Sequence, residues 1–184
     1  FLIPFFVSVW LLNQMPAPNA EDERERTHRE PMNSGQRIEF VRHFFWGLLM
    51  LVVAYFFLTA YRDYRDNYQV EMFSALDYPY EANKSIITQA ETLVAFGVLV
   101  PLALLFLIRN NRWGLIGTYA IMLSGVTLLA CSTWMMENDR INGFWWMTCV
   151  GLGAYLAYVP YGSVLFDRLI AQGHILGTAV FAIY

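Results

Sequence analysis

Residues 113–136 read WGLIGTYAIMLSGVTLLACSTWMM, 24 residues without one acidic or basic side chain. At 1.5 Å of rise per residue a helix of that length covers about 36 Å, enough to cross a hydrocarbon core about 30 Å thick. Three other stretches read the same way: 44–61, 92–108 and 144–166, of 18, 17 and 23 residues. All 12 basic and 15 acidic residues fall outside these four runs. Segregation of charge on this scale predicts an all-α membrane protein, a polytopic helical bundle with four complete transmembrane helices.

Composition points the same way and excludes other classes. The chain is 57% hydrophobic and only 15% charged, where a soluble domain carries about 25% charged residues. Its net charge of −3 comes without a concentrated basic stretch, so no nucleic acid is expected as a partner. The lipid bilayer is. Shorter apolar runs at 1–12 and 169–184 read as the end of one transmembrane helix and the truncated start of another. The chain begins inside the first without Met, and no basic n-region or small-residue cleavage site precedes the polar loop. The expectation is a fragment of a longer chain, whose missing N-terminal half is a further partner.

The loop 13–43 contains EDERERTHRE (21–30) and carries five Arg against six acids. It reads as a cytoplasmic charged linker, with a short helix over 20–29. After Pro31, NSGQRIEFVRHF (33–44) predicts a helix start capped by Asn33 or Ser34 that feeds the span 44–61. Residues 44–184 then form the transmembrane bundle. The loops 13–43, 109–112 and 167–168 hold eight Lys and Arg, whereas 62–91 and 137–140 hold four. By the positive-inside rule the first set is cytoplasmic, which predicts a multi-pass protein of the cell inner (plasma) membrane.

The densest chemistry is AYRDYRDNYQVE (60–71). On a continuing helix Arg62 and Asp66 are one turn apart, and two Arg and two Asp interlock around the axis. Such a cluster is either a salt-bridged helix end among headgroups or a site. As a site, Arg62 and Arg65 would grip an anionic group and Asp66 would carry a proton. Tyr64, Tyr68, Phe73, Tyr78 and Tyr80 fit an interfacial aromatic belt or a folded extension of the helix. In the fourth span Tyr155 and Tyr158 share a face and Tyr161 flanks them. Pro160 frees the carbonyl of Leu156 and invites a bend there, as Pro101 does in the second span. These features suit a polar cavity or plain packing. Gln89 and Glu91 sit at the start of the second span, where an acid also suits the helix dipole. In the last run His174 is a proton-relay candidate beside Gln172, and Gly173 and Gly177 form a GxxxG suited to close helix approach.

Cys131 and Cys149 read as small core residues. HExxH, GxSxG, Walker and paired CxxC signatures are all missing from the sequence, so no enzyme, catalytic residue, cofactor or metal is expected.

This layout resembles the second half of a major facilitator superfamily transporter. A long charged loop follows a span, short-loop helices come next, and the basic turn RNNRWG (109–114) lies two spans on. RNNRWG is a reduced form of the superfamily loop signature GxxxDRxGRR, which does not occur here. More narrowly, LLNQMPAPNAEDERERTHREPM (11–32), TAYRDYRDNYQVE (59–71) and LGAYLAYVPYGSVLFDRL (152–169) resemble a poorly characterised bacterial membrane family related to that superfamily. The resemblance makes 1–12 the tail of helix six, the four full spans helices seven to ten, and 169–184 the start of helix eleven. It implies secondary transport of a small solute by alternating access, with helices seven, eight, ten and eleven lining the cavity. Arg62, Arg65, Tyr155 and Tyr158 would then bind solute, an anionic one by the two arginines, and Asp66, Glu91 or His174 would couple protons. The rival expectation is a non-transporting membrane sensor or scaffold whose charged outer segment docks a partner.

Overall fold

The computed structural model describes residues 2–14, 33–108, 110–166 and 168–169. The chain divides into two compact units, Phe1–Glu30 and Pro31–Tyr184. In the first, α1 (Leu2–Asn13) is an apolar helix whose large side chains, Phe6 and Trp10 among them, are exposed. It is about 18 Å long, short of a full crossing. The short helix expected over 20–29 lies outside the described residues, as do the GxxxG at 173–177 and all but the first residue of the truncated helix expected over 169–184.

The second unit contains α2 (Ser34–Asn67), α3 (Gln69–Ala75), α4 (Ile86–Phe106), α5 (Asn111–Glu137) and α6 (Gly143–Pro160), followed by a π-helical turn, Tyr161–Leu165. Four helical stretches, 37–67, 86–106, 111–137 and 143–165, are long and apolar enough to cross a membrane. No strand occurs among the described residues. The protein is an all-α helical membrane protein, as its hydropathy predicts.

Helix boundaries follow local chemistry. Asn33 supplies the first acceptor of α2, its carbonyl taking the Arg37 N–H at 3.1 Å. Side chains of Asn110 and Asn142 cap α5 and α6, accepting the Trp113 N–H at 3.3 Å and the Trp145 N–H at 3.1 Å. Asp77, with φ of 64°, turns the chain out of α3. After Pro160 the backbone widens into the π turn, the distortion a proline invites by withholding its N–H.

The hydropathy runs mark the helices but understate them. α2 starts inside the expected linker and runs 34 residues, about 51 Å. It does not stop at Tyr61, where charge begins. It continues through Arg62–Asn67 and, after a turn at Tyr68, resumes as α3. The outer aromatic segment includes a folded extension of the helix, with Phe73 buried against Ile86, Ala90 and Met147, while Tyr64 and Tyr68 stay exposed, as an interfacial belt also requires.

α6 is the axis of the unit, with ten of its 18 residues buried. It packs on α5, α4 and α2. Against α5 the backbones touch at two glycines: a Cβ on Gly125 would lie 2.5 Å from the Gly153 carbonyl oxygen, and one on Gly153 would lie 2.6 Å from that of Gly125. The buried residues of α5 are Gly114, Thr118, Gly125 and Ser132, all small, and the last three recur every seven positions. Small residues let membrane helices approach until van der Waals contact is continuous. Against α4 the contact is apolar, with Val94 and Val98 on Leu156.

Candidate functional site

Where α2 ends and α4 and α6 begin, an arginine lies inside the protein. Arg65 is 1% exposed. It donates from Nη2 to Glu91 Oε1 at 2.7 Å, from Nη1 to Asp66 Oδ1 at 3.0 Å, and from Nη2 to the Met147 carbonyl at 3.2 Å. Its Nε is buried with no hydrogen-bond partner. An arginine can be buried only if carboxylates or carbonyls replace its water, and α2, α4 and α6 each supply one. Gln69 donates to the same Glu91 oxygen at 3.0 Å, and the Tyr155 hydroxyl donates to Asp66 Oδ2 at 2.7 Å. Space for the guanidinium comes from Gly151. A Cβ there would overlap Arg65 Nη2 and lie 2.5 Å from its Cζ. Gly151 is eight residues into α6, about 12 Å along its axis, so the charge reaches well inside the apolar run although Arg65 itself lies beyond the run on α2.

One turn back, Arg62 pairs with Asp63, at 2.6 Å from Nη2 and 3.1 Å from Nε. The expected pair between Arg62 and Asp66 does not form, because Asp66 faces α6, where Arg65 and Tyr155 hold it. The Arg62 guanidinium lies 4.2 Å from the ring centroid of Tyr158, within cation–π range. Tyr158 and Tyr55 share a hydrogen bond between hydroxyls at 3.0 Å, and Tyr55 stacks on the rings of both Tyr158 and Tyr161. Between Tyr55 and Arg62, Thr59 Oγ1 is buried and unpartnered.

These groups form one seam. Tyr55, Thr59, Arg62 and Asp66 recur on α2 at steps of four, three and four, a single helical stripe, and Gln69 adds to it from the first residue of α3. It faces Tyr158, Tyr155 and Gly151 on α6. From Tyr55 to Asp66 the stripe covers about 16 Å.

A second arginine–glycine clamp closes the opposite end. Arg168 donates to Asn111 Oδ1 at 2.9 Å and to the Ile108 carbonyl at 3.0 Å, and a Cβ on Gly114 would lie 2.9 Å from its Cζ. Arg168 thus ties Ile108 to the first turn of α5 at Asn111 and Gly114.

A family model matches residues 1–184, the whole chain. The chain belongs to the family of unknown function DUF5690. No curated protein and no solved structure matches it.

Within this DUF5690 chain, six of the seven residues singled out from sequence can be placed. Five of them, Arg62, Arg65, Asp66, Tyr155 and Tyr158, lie on the seam, and Glu91 bridges to it from α4. His174 lies outside the described residues. Arg65 faces protein rather than a cavity, whereas Arg62, Asp66 and Glu91 keep 22%, 32% and 34% of their side chains exposed. Gln89 serves the helix start, donating to Ser85 at 2.9 Å. The sequence reading missed Tyr55, Gln69, Gly151 and the Met147 carbonyl. Gly151 had one visible signal, a glycine pair inside an aromatic helix; the others depend on inter-helix register. Among the described residues no three of His, Cys, Asp and Glu come together as metal ligands.

Proposed function

We propose that this DUF5690 chain is a multi-pass protein of the inner (plasma) membrane that moves a small solute by alternating access, as a secondary transporter resembling the major facilitator superfamily. The observation that carries the proposal is the polar seam between α2 and α6. Arginines, carboxylates and tyrosine hydroxyls inside helices of membrane-crossing length are expensive, and they are usually retained for passage of a solute or proton. On the transporter register α2 and α6 are helices seven and ten, both of which line the cavity. Arg62 and Tyr158 are the solute-facing pair in this reading. Asp66 and Glu91 are the proton sites, with Arg65 holding both. The clamps at Arg65 and Arg168 lie at opposite ends of the helices, where alternating access needs contacts that open in turn.

The sensor or scaffold alternative asks for an Arg–Asp cluster displayed to a partner. The turn of Arg62 and Asp66 onto Tyr158 and Tyr155 of α6, rather than outward, favours transport over it. The test is uptake by the full-length protein in proteoliposomes, across sugars, sugar phosphates, organic acids, amines and peptides. Uptake of one class, lost in Arg62→Ala at unchanged membrane abundance, supports transport and its site. Unchanged uptake in Arg62→Ala removes Arg62 from the site, and silence across the panel from folded protein favours the scaffold.

A further inference from the structure

Charge around the seam is not balanced. Arg62 is neutralised by Asp63, but Arg65 alone faces two carboxylates, Asp66 and Glu91. The linked group therefore carries one uncompensated negative charge when ionised. The surrounding end of the bundle, residues 62–91 and 137–143, repeats that sign, with eight acidic residues (Asp63, Asp66, Glu71, Asp77, Glu81, Glu91, Glu137, Asp139) against four basic ones (Arg62, Arg65, Lys84, Arg140). An approaching anion meets a repulsive field, and a cation is drawn in. The arginines, which by themselves suggest an anionic solute, already have their carboxylates.

Directly beside Glu91 runs a groove of about 260 Å³ lined by Glu91, Val94, Val98, Leu102 and Tyr155, with Ala95 and Leu99 on its exposed rim. One end is a carboxylate and a phenol, and the rest is aliphatic. The Glu91 carboxylate uses Oε1 for both Arg65 and Gln69, and a third of the side chain remains exposed. A carboxylate at the head of an aliphatic trough, in a locally anionic field, is complementary to a small organic cation with an apolar body.

We propose that this groove binds a monovalent organic cation, a quaternary or protonated amine bearing an apolar group. Its charge sits at Glu91 and its body lies along Val94, Val98 and Leu102. The proposal rests on the transport reading for its purpose and gives Glu91, a proton site in that reading, to the solute's charge as well, so that cation and proton share one carboxylate; the binding site itself stands on groove and charge alone.

The experiment is equilibrium dialysis of the full-length detergent-purified protein against radiolabelled benzyltrimethylammonium, with benzenesulfonate as an anion of similar size. The expected result is saturable binding of one cation per chain and none of the sulfonate. Glu91→Gln, which keeps an oxygen for Arg65 but loses the charge, should weaken binding by about fivefold, the upper end for a charge pair that water still reaches. Because that variant also strips the Arg65 pair, Ala95→Phe serves as a second probe: it fills the groove one turn below Glu91, leaves the ion pair in place and should weaken binding similarly. Preferential sulfonate binding, or cation binding unchanged in both variants, overturns the proposal. So does loss of cation binding in nanodiscs of phosphatidylethanolamine with recovery in phosphatidylglycerol, because the occupant is then a lipid headgroup amine. The two readings fail separately. Uptake of an anionic or neutral solute without cation binding discards the cation and keeps transport, whereas cation binding without uptake of any solute keeps the groove and discards transport.

Discussion

The guanidinium of Arg65 lies on the bare Cα of Gly151, in space that any side chain at 151 would occupy. The colliding atoms end a flexible side chain, which in an open site would swing aside. Here that movement breaks the contacts to Glu91, Asp66 and the Met147 carbonyl. Gly151→Ala should therefore destabilise the protein by about 1–3 kcal/mol, the usual range for overpacking a filled site. Thermal unfolding of the purified full-length protein measures it, and a variant as stable as the parent would mean that Arg65 has another place to go.

Arg65 and Glu91 should behave as a unit. Removing one member of a buried pair leaves the other charge without a partner and costs about 3–5 kcal/mol, whereas replacing both with apolar groups of similar volume is often close to neutral. Glu91 is a third exposed, so water will soften its half of the effect. Arg65→Met strands two neighbouring carboxylates, Asp66 and Glu91, whereas Glu91→Leu leaves Arg65 its bond to Asp66, so the expected order is Arg65→Met as the most damaging variant, Glu91→Leu less so, and the double variant more stable than Arg65→Met alone. A strictly additive cycle would show that the pair contributes nothing specific.

The spans were legible because hydropathy needs no partner. An uncharged run such as 113–136 is apolar whatever it packs against, and all four runs became helices. What sequence understated was helix length beyond the runs. Residues 62–67 look like a loop because they are charged, yet they stay helical because each charge finds a partner: Asp63 for Arg62, and Asp66 and Glu91 for Arg65. The Arg–Asp repeat was also legible as a site candidate, but its pairing was not. Local spacing favoured Arg62 with Asp66, and the partner that buries Arg65, Glu91, lies 26 residues away on another helix. Gly151 and the Met147 carbonyl belong to the site through inter-helix register, which one sequence does not encode visibly.

The contact between α5 and α6 gives a comparison of glycines. A Cβ on Gly125 meets backbone, the Gly153 oxygen at 2.5 Å and the Ala157 nitrogen at 2.8 Å, and nothing within 4 Å surrounds a Cβ on Gly47. Backbone atoms cannot rotate away, so Gly125→Ala must push the helices apart and expose small-residue packing along Thr118 and Ser132. The expected loss is about 1–3 kcal/mol. Gly47→Ala on α2 should be neutral or stabilising by up to about 1 kcal/mol, since a mid-helix glycine is the costlier residue. Equal unfolding temperatures for the two variants would contradict the close crossing.

The hydroxyls of Tyr55 and Tyr158 join α2 to α6 near the inner end of the seam, and their mutants should be non-additive. Each single change to Phe removes one oxygen and keeps the stacked ring, so the apolar packing and the cation–π contact of Arg62 with ring 158 persist. What is lost is one hydrogen bond, with the surviving hydroxyl left unpaired in a partly buried place, at about 1 kcal/mol. In the double variant no unpaired hydroxyl remains, so Tyr55→Phe with Tyr158→Phe should cost no more than the worse single change. Unfolding of the three variants side by side measures this. Uptake separates structure from function in the same proteins: if the Tyr158 hydroxyl also contacts solute, Tyr158→Phe lowers transport more than Tyr55→Phe at equal stability, and equal uptake in the two would confine that hydroxyl to the helix–helix bond.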